Sequence, residues 1–156
     1  MRGLQKIWTR LLGTVILLRG LYSVAFSVLV LFALMGVVDI REFGPELSSY
    51  FASANPMLVV AWLVYALGYC TSGILVLFNK RLTALCVYAG SFAVDITLWL
   101  SVHSVRFNSD AAPGWANFAD MFFNVFDLAA LTILIYRAMV YLPNAATIVR
   151  MGHHKH

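Results

Sequence analysis

Four long apolar runs, separated by three short polar connections, make up most of this chain. The first covers about 11–38 and is interrupted by a single charge, Arg19. The second, 57–78, is uncharged and exceeds the roughly 20 residues that a helix needs to cross hydrocarbon. The third, 82–103, carries one charge, Asp95. The fourth runs over 115–141 and is expected to stop at Pro143-Asn144. The pattern predicts an all-α polytopic membrane protein: four transmembrane helices in an antiparallel bundle, forming a single membrane domain over 1–156. Residues 142–156 follow as a short tail. The basic start could introduce a signal peptide, but the first apolar run is far longer than the roughly 7–15 residues of such a segment. A retained helix is the better reading.

The connections fix the expected orientation. Residues 39–56 are acidic on balance, with Asp39, Arg41, Glu42 and Glu46, and Pro45 is placed to open a short interfacial helix over 46–51. Asn79-Lys80-Arg81 is a tight basic turn that sends the third run back along the second. Residues 103–114 are close to neutral. Basic residues gather at the N-terminus (Arg2, Lys6, Arg10), in the second connection, and at the far end (Arg137, Arg150, Lys155). All three places fall on one side of a four-span path. By the positive-inside rule that side is cytoplasmic, so both termini are expected inside. Trp8, Tyr136 and Tyr141 then mark the inner interface, and Trp99 and Trp115 the outer one.

Composition agrees. The chain is 62% hydrophobic and 12% charged, against the roughly 25% charged of a soluble domain. The net charge of +4 lies at the ends and in one turn, not on a basic, aromatic-interleaved surface, so nucleic acid is not an expected partner. The expected surroundings are the lipid bilayer and a membrane-protein partner or further copies of the chain. Compact loops fit a bacterial inner membrane. Cys70 and Cys86 are read as buried, unreactive thiols, since no Cys-x-x-Cys supports a redox pair or a zinc site. A loop histidine, His103, and a tail with His153, His154 and His156 are expected to be solvated and not to form a metal site, and no phosphate loop is present. No cofactor is expected.

Candidate chemistry lies within the spans. Asn117, Asp120, Asn124 and Asp127 are spaced by three, four and three residues, which places them on one face of a helix. A polar stripe of this kind is costly in lipid unless it faces other helices or water. At about 1.5 Å per residue, Asp127 lies near the membrane centre, Asn124 about 5 Å outward and Asp120 roughly 12 Å outward. Asp95 falls level with Asn124 and with Tyr65, so these three are expected to share a hydrogen-bonded layer. Arg19 is expected either to reach Asp127 or to extend to the cytoplasmic surface.

Three roles compete for Arg19, Tyr65, Asp95, Asp120, Asn124 and Asp127. As structural glue, they hold the bundle together or dock a partner in a small accessory, assembly or interaction subunit. As a ladder, Asp127, Asn124, Asp95 and Asp120 would carry protons or ions for a small-solute transporter acting as an oligomer. As a dyad, Asp95 and Asp127 would activate water for hydrolysis. Phe123-Asn-Val-Phe-Asp127, followed by Leu-Ala-Ala-Leu-Thr-Ile-Leu, resembles the Phe-Asn-x-Ala-Asp segment of bacterial lipoprotein signal peptidases. Ala93-Val-Asp95-Ile is similar to the segment bearing their other aspartate. The resemblance implies an intramembrane aspartyl hydrolase with Asp95 and Asp127 as its catalytic pair. The chain departs from that family in lacking its Gly-Asn-x-x-Asp-Arg segment, since Gly90-Ser-Phe-Ala-Val precedes Asp95. Its Asp-Gln and Asn-x-Gly-Ala stretches are missing as well. Taken together, the residues favour the non-enzymatic role.

Overall fold

The computed structural model describes the backbone of residues 2–39, 55–106 and 114–152, and side chains within 6–39, 55–101 and 121–140. It contains four helices: α1 (Arg2–Leu34), α2 (Pro56–Leu77), α3 (Arg81–Arg106) and α4 (Gly114–Gly152). Each includes a stretch long and apolar enough to cross a membrane, and no strand occurs among the described residues. The expected helix over 46–51 lies outside them.

Local chemistry sets the helix ends. Asn55 is extended and accepts a hydrogen bond from the Met57 N–H at 2.9 Å, with Pro56 as the first helical residue. Between α2 and α3, Asn79 takes the left-handed conformation at φ 63°. The Asn79 N–H then reaches the Val76 carbonyl at 3.0 Å and the Lys80 N–H that of Leu75 at 2.8 Å, closing the end of α2. Helix α3 begins at the next residue.

Two boundaries differ from the sequence expectation. The first helix ends at Leu34, not near 38, because Gly36 at φ 72° lets the Gly36 and Val37 N–H groups bond back to Ala33 and Phe32. Apolar character alone carried the run through this cap. At the other end, Pro143 does not stop α4, which continues to Gly152. A proline removes one backbone bond, and long apolar helices absorb that loss.

Consecutive helices pack along one another, α1 on α2 most extensively. The α1–α2 seam runs through small residues. A side chain at Gly20 would stand 2.6 Å from the Cys70 backbone nitrogen, and one at Gly73 would stand 2.7 Å from that of Leu17. Such close approach is available only to glycine. Gly68 of α2 faces Ser91 of α3, and the buried Ser72 hydroxyl donates to the Ala84 carbonyl at 2.9 Å. Ala89-x-x-x-Ala93, the other small-residue spacing in the sequence, is less engaged, as Ala93 is exposed. Cys86 is exposed too and Cys70 half-buried, which corrects the expectation of two buried thiols; both are unpaired.

A core of Ile16, Tyr69, Val76, Ala84, Tyr88, Ala130 and Leu134 draws on all four helices. A smaller cluster around Val30 and Val59 joins α1 to α2. Outside, Leu18, Val64, Phe122 and Val125 are among many large apolar side chains left exposed.

The seam makes two opposed predictions. Gly73→Leu is expected to destabilise the fold by about 1–3 kcal/mol through overpacking against a backbone. Gly90, whose Cβ position has nothing within 4 Å, should instead gain about 0.5–1 kcal/mol on Gly90→Ala. Reversible unfolding in mixed detergent micelles measures both.

A buried arginine–aspartate cluster as candidate site

Arg19 stands at the centre of the polar interior. Its side chain is 8% exposed, and its guanidinium meets groups from all four helices. On α1, one turn further along, Ser23 accepts a hydrogen bond from Nη1. On α4, Asp127 Oδ2 accepts from Nη2 at 3.1 Å. On α3, Asp95 Oδ2 lies 3.6 Å from the same nitrogen. The Cζ atom stands 4.2 Å from the centroid of the Phe123 ring of α4 and 5.5 Å from that of Tyr69 of α2, giving the cation two aromatic faces.

Two tyrosines complete the layer. The Tyr88 hydroxyl donates to Asp127 Oδ1 at 2.9 Å, and that of Tyr69 to Asp95 Oδ2 at 3.2 Å. Their rings pack against each other, with centroids 4.9 Å apart, so each aspartate receives a phenol from within the core. Tyrosine suits this place because its ring fills apolar space while its hydroxyl reaches a partner. Asp127 is fully buried. Toward the N-terminus of α1, Arg137 of α4 donates to Thr9, and on the other side of the cluster Tyr22 packs on Phe123 at 5.3 Å. Helices α1 and α4 are therefore tied by side chains at three levels.

Of the sequence candidates, Arg19, Asp95 and Asp127 are brought together, and Arg19 turns inward instead of extending to the surface. Around the expected layer of Asp95, Tyr65 and Asn124 the structure adds a residue. Tyr69, one turn from Tyr65, supplies the phenol to Asp95, while the Tyr65 ring packs edge-on against Tyr69 at 5.9 Å. Asn124 is half-buried. The side chains of Asn117, Asp120 and His103 and the histidine tail lie outside the described residues. Among the described residues no three His, Cys, Asp or Glu side chains converge as metal ligands.

Sequence reasoning missed Tyr69, Tyr88 and Ser23. The signal was present: Ser23 is four residues from Arg19, and Tyr88 seven from Asp95, so each shares a helix face with a charge. The aspartates paired by the hydrolase resemblance do approach one another, but Arg19 Nη2 stands against an oxygen of each. A catalytic dyad needs its attacking water in that position. Searches against protein-family models, curated proteins and solved structures return no match.

The cluster predicts strong asymmetry between breaking and replacing the ion pair. Arg19→Met or Asp127→Asn alone should cost about 3–5 kcal/mol, because each strands a buried charge or its partner. The Arg19→Met/Asp127→Leu double variant should recover most of that loss. Tyr88→Phe, which removes a donor to a carboxylate, is expected to cost about 1.5–3 kcal/mol. A double-mutant cycle by micellar unfolding reads these differences.

Proposed function

We propose that the chain is a small integral membrane protein of the bacterial inner membrane, acting as an accessory, assembly or interaction subunit. In this reading residues 1–156 form one membrane domain, an antiparallel four-helix bundle with both termini in the cytoplasm. Helix pairings support the antiparallel sense: Gly20 meets Cys70 and Gly73 meets Leu17, while Ser72 meets Ala84 and Tyr69 meets Asp95. Sequence numbers rise on one helix as they fall on its neighbour. The distribution of basic residues supports the orientation.

The observation that carries the functional reading is the inward direction of the charged side chains. Arg19, Asp95 and Asp127 face one another and hold the helices together, while the outer surface offers apolar side chains such as Leu18, Phe122 and Val125. Recognition of a partner, another membrane protein or a second copy, then falls to helix faces that pack in lipid. The polar cluster fixes the shape that those faces present.

Transport by an oligomer is the second reading, and the excess of carboxylates over guanidinium groups in the cluster favours it. Two measurements separate the readings. With Asp95→Asn and Asp127→Asn, the assembly role predicts reduced yield of the native oligomer or partner complex after purification in gentle detergent. The transport role predicts intact assembly with loss of pH-dependent flux in liposomes. Intact assembly of both variants would refute the first reading. Reporter fusions at each end test the topology, and a periplasmic C-terminus would overturn it.

A further inference from the structure

The stripe of α1 that packs on α2 continues past the end of that helix. Gly20 meets Cys70, Leu17 meets Gly73, and Gly13 meets Leu77. Arg10 and Lys6 lie three and seven residues before Gly13, on the same face of α1. Extended by one turn, this pairing puts Arg10 at the height of the Asn79-Lys80-Arg81 turn, with Lys6 about 6 Å beyond it. Lys6, Arg10 and Lys80 are exposed, and Arg81 is fixed at the turn by its Nε, which donates to Asn79 Oδ1 at 3.0 Å. Arg137 of α4 reaches the same end of α1 through Thr9. None of the chain's seven acidic residues belongs to the stretches that form this end. All lie in the first and third connections or well inside α3 and α4.

The neighbours of these cations select the kind of anion. Trp8 stands between Lys6 and Arg10 in the chain, Phe78 precedes the turn and Tyr136 adjoins Arg137, and all three rings are exposed. Cations interleaved with bare rings suit the boundary between headgroups and acyl chains, where aromatic side chains settle and long basic ones extend to phosphate. An acidic soluble partner would answer the charges and leave those rings without apolar cover. We propose that the overhang of α1 and the α2–α3 turn form a binding site for an anionic phospholipid. Its phosphate is held by Lys6, Arg10 and Lys80, and its acyl chains continue along the apolar surface of the helices. Two cations from one helix meet a third at the turn between two others, which distinguishes the site from a diffuse basic rim.

This inference rests on the reading of the chain as an integral membrane protein, and not on its assembly role. Its test is native mass spectrometry of the purified full chain, released from detergent micelles holding equal amounts of phosphatidylglycerol and phosphatidylcholine with identical acyl chains. The expected result is preferential retention of phosphatidylglycerol. That preference should fall about fivefold for each cation removed in Lys6→Gln, Arg10→Gln and Lys80→Gln, and stay unchanged in Arg106→Gln at the opposite end of α3. Equal retention of the two lipids by the wild type overturns the proposal, and this reading requires no variant to fold. A preference that survives the combined Lys6→Gln/Arg10→Gln/Lys80→Gln variant, or that Arg106→Gln abolishes equally, overturns it as well. Glycerol phosphate, which lacks acyl chains, is expected not to be retained; its retention in place of the lipid would overturn the lipid as occupant. Release of the chain from membranes without detergent would instead defeat the membrane reading itself.

Discussion

A guanidinium enclosed among four apolar helices is the constraint on which the remaining structure depends. Arg19 cannot be left in a low-dielectric interior without anions and hydrogen-bond acceptors, and no single neighbouring helix supplies enough of either. Asp127 comes from α4, Asp95 from α3, and aromatic faces from α2 and α4. Each helix must therefore stand at the correct height and rotation for the charge to be met. An arrangement that rotated α4 by half a turn would leave Asp127 in lipid and Arg19 short of its closest acid. The cluster selects one packing among many that apolar surfaces alone would accept.

That selection matters because lipid removes the usual force between apolar helices. Side chains such as Leu18 or Val125 gain little by leaving acyl chains for a neighbouring helix. What remains is close van der Waals packing and internal polar bonding. The chain uses both, in different places. Gly20 and Gly73 bring the α1 and α2 backbones together without side chains between them, whereas α1 and α4 are joined across their gap by Arg19–Asp127, Tyr22–Phe123 and Arg137–Thr9. One seam is steric, the other largely polar and aromatic.

The tyrosines link the two kinds of interaction. Tyr69 and Tyr88 are among the largest fully buried side chains, and they pack ring against ring in the same core that holds Ile16 and Leu134. Their hydroxyls point at the aspartates, so removing either would disturb packing and hydrogen bonding together. This coupling makes the polar layer continuous with the apolar core.

The sequence by itself determined that the chain is helical, how many membrane-capable segments it has and which charges lie within them. Hydropathy over some twenty residues is a local property that survives any later packing. It also placed Asp127 within reach of Arg19, while assigning Asp95 to a separate layer with Asn124 and Tyr65. Tertiary structure decided that one guanidinium would engage both acids, that Tyr69 would donate to Asp95, and that glycines would form the first seam. Those outcomes depend on rotation about each helix axis and on tilt, which a linear count of residues leaves open to about one turn. The helix ends divide in the same way. Asn79-Lys80-Arg81 was legible as a turn because its chemistry is local, whereas the cap at Gly36 was hidden within an apolar run that hydropathy reads as uninterrupted.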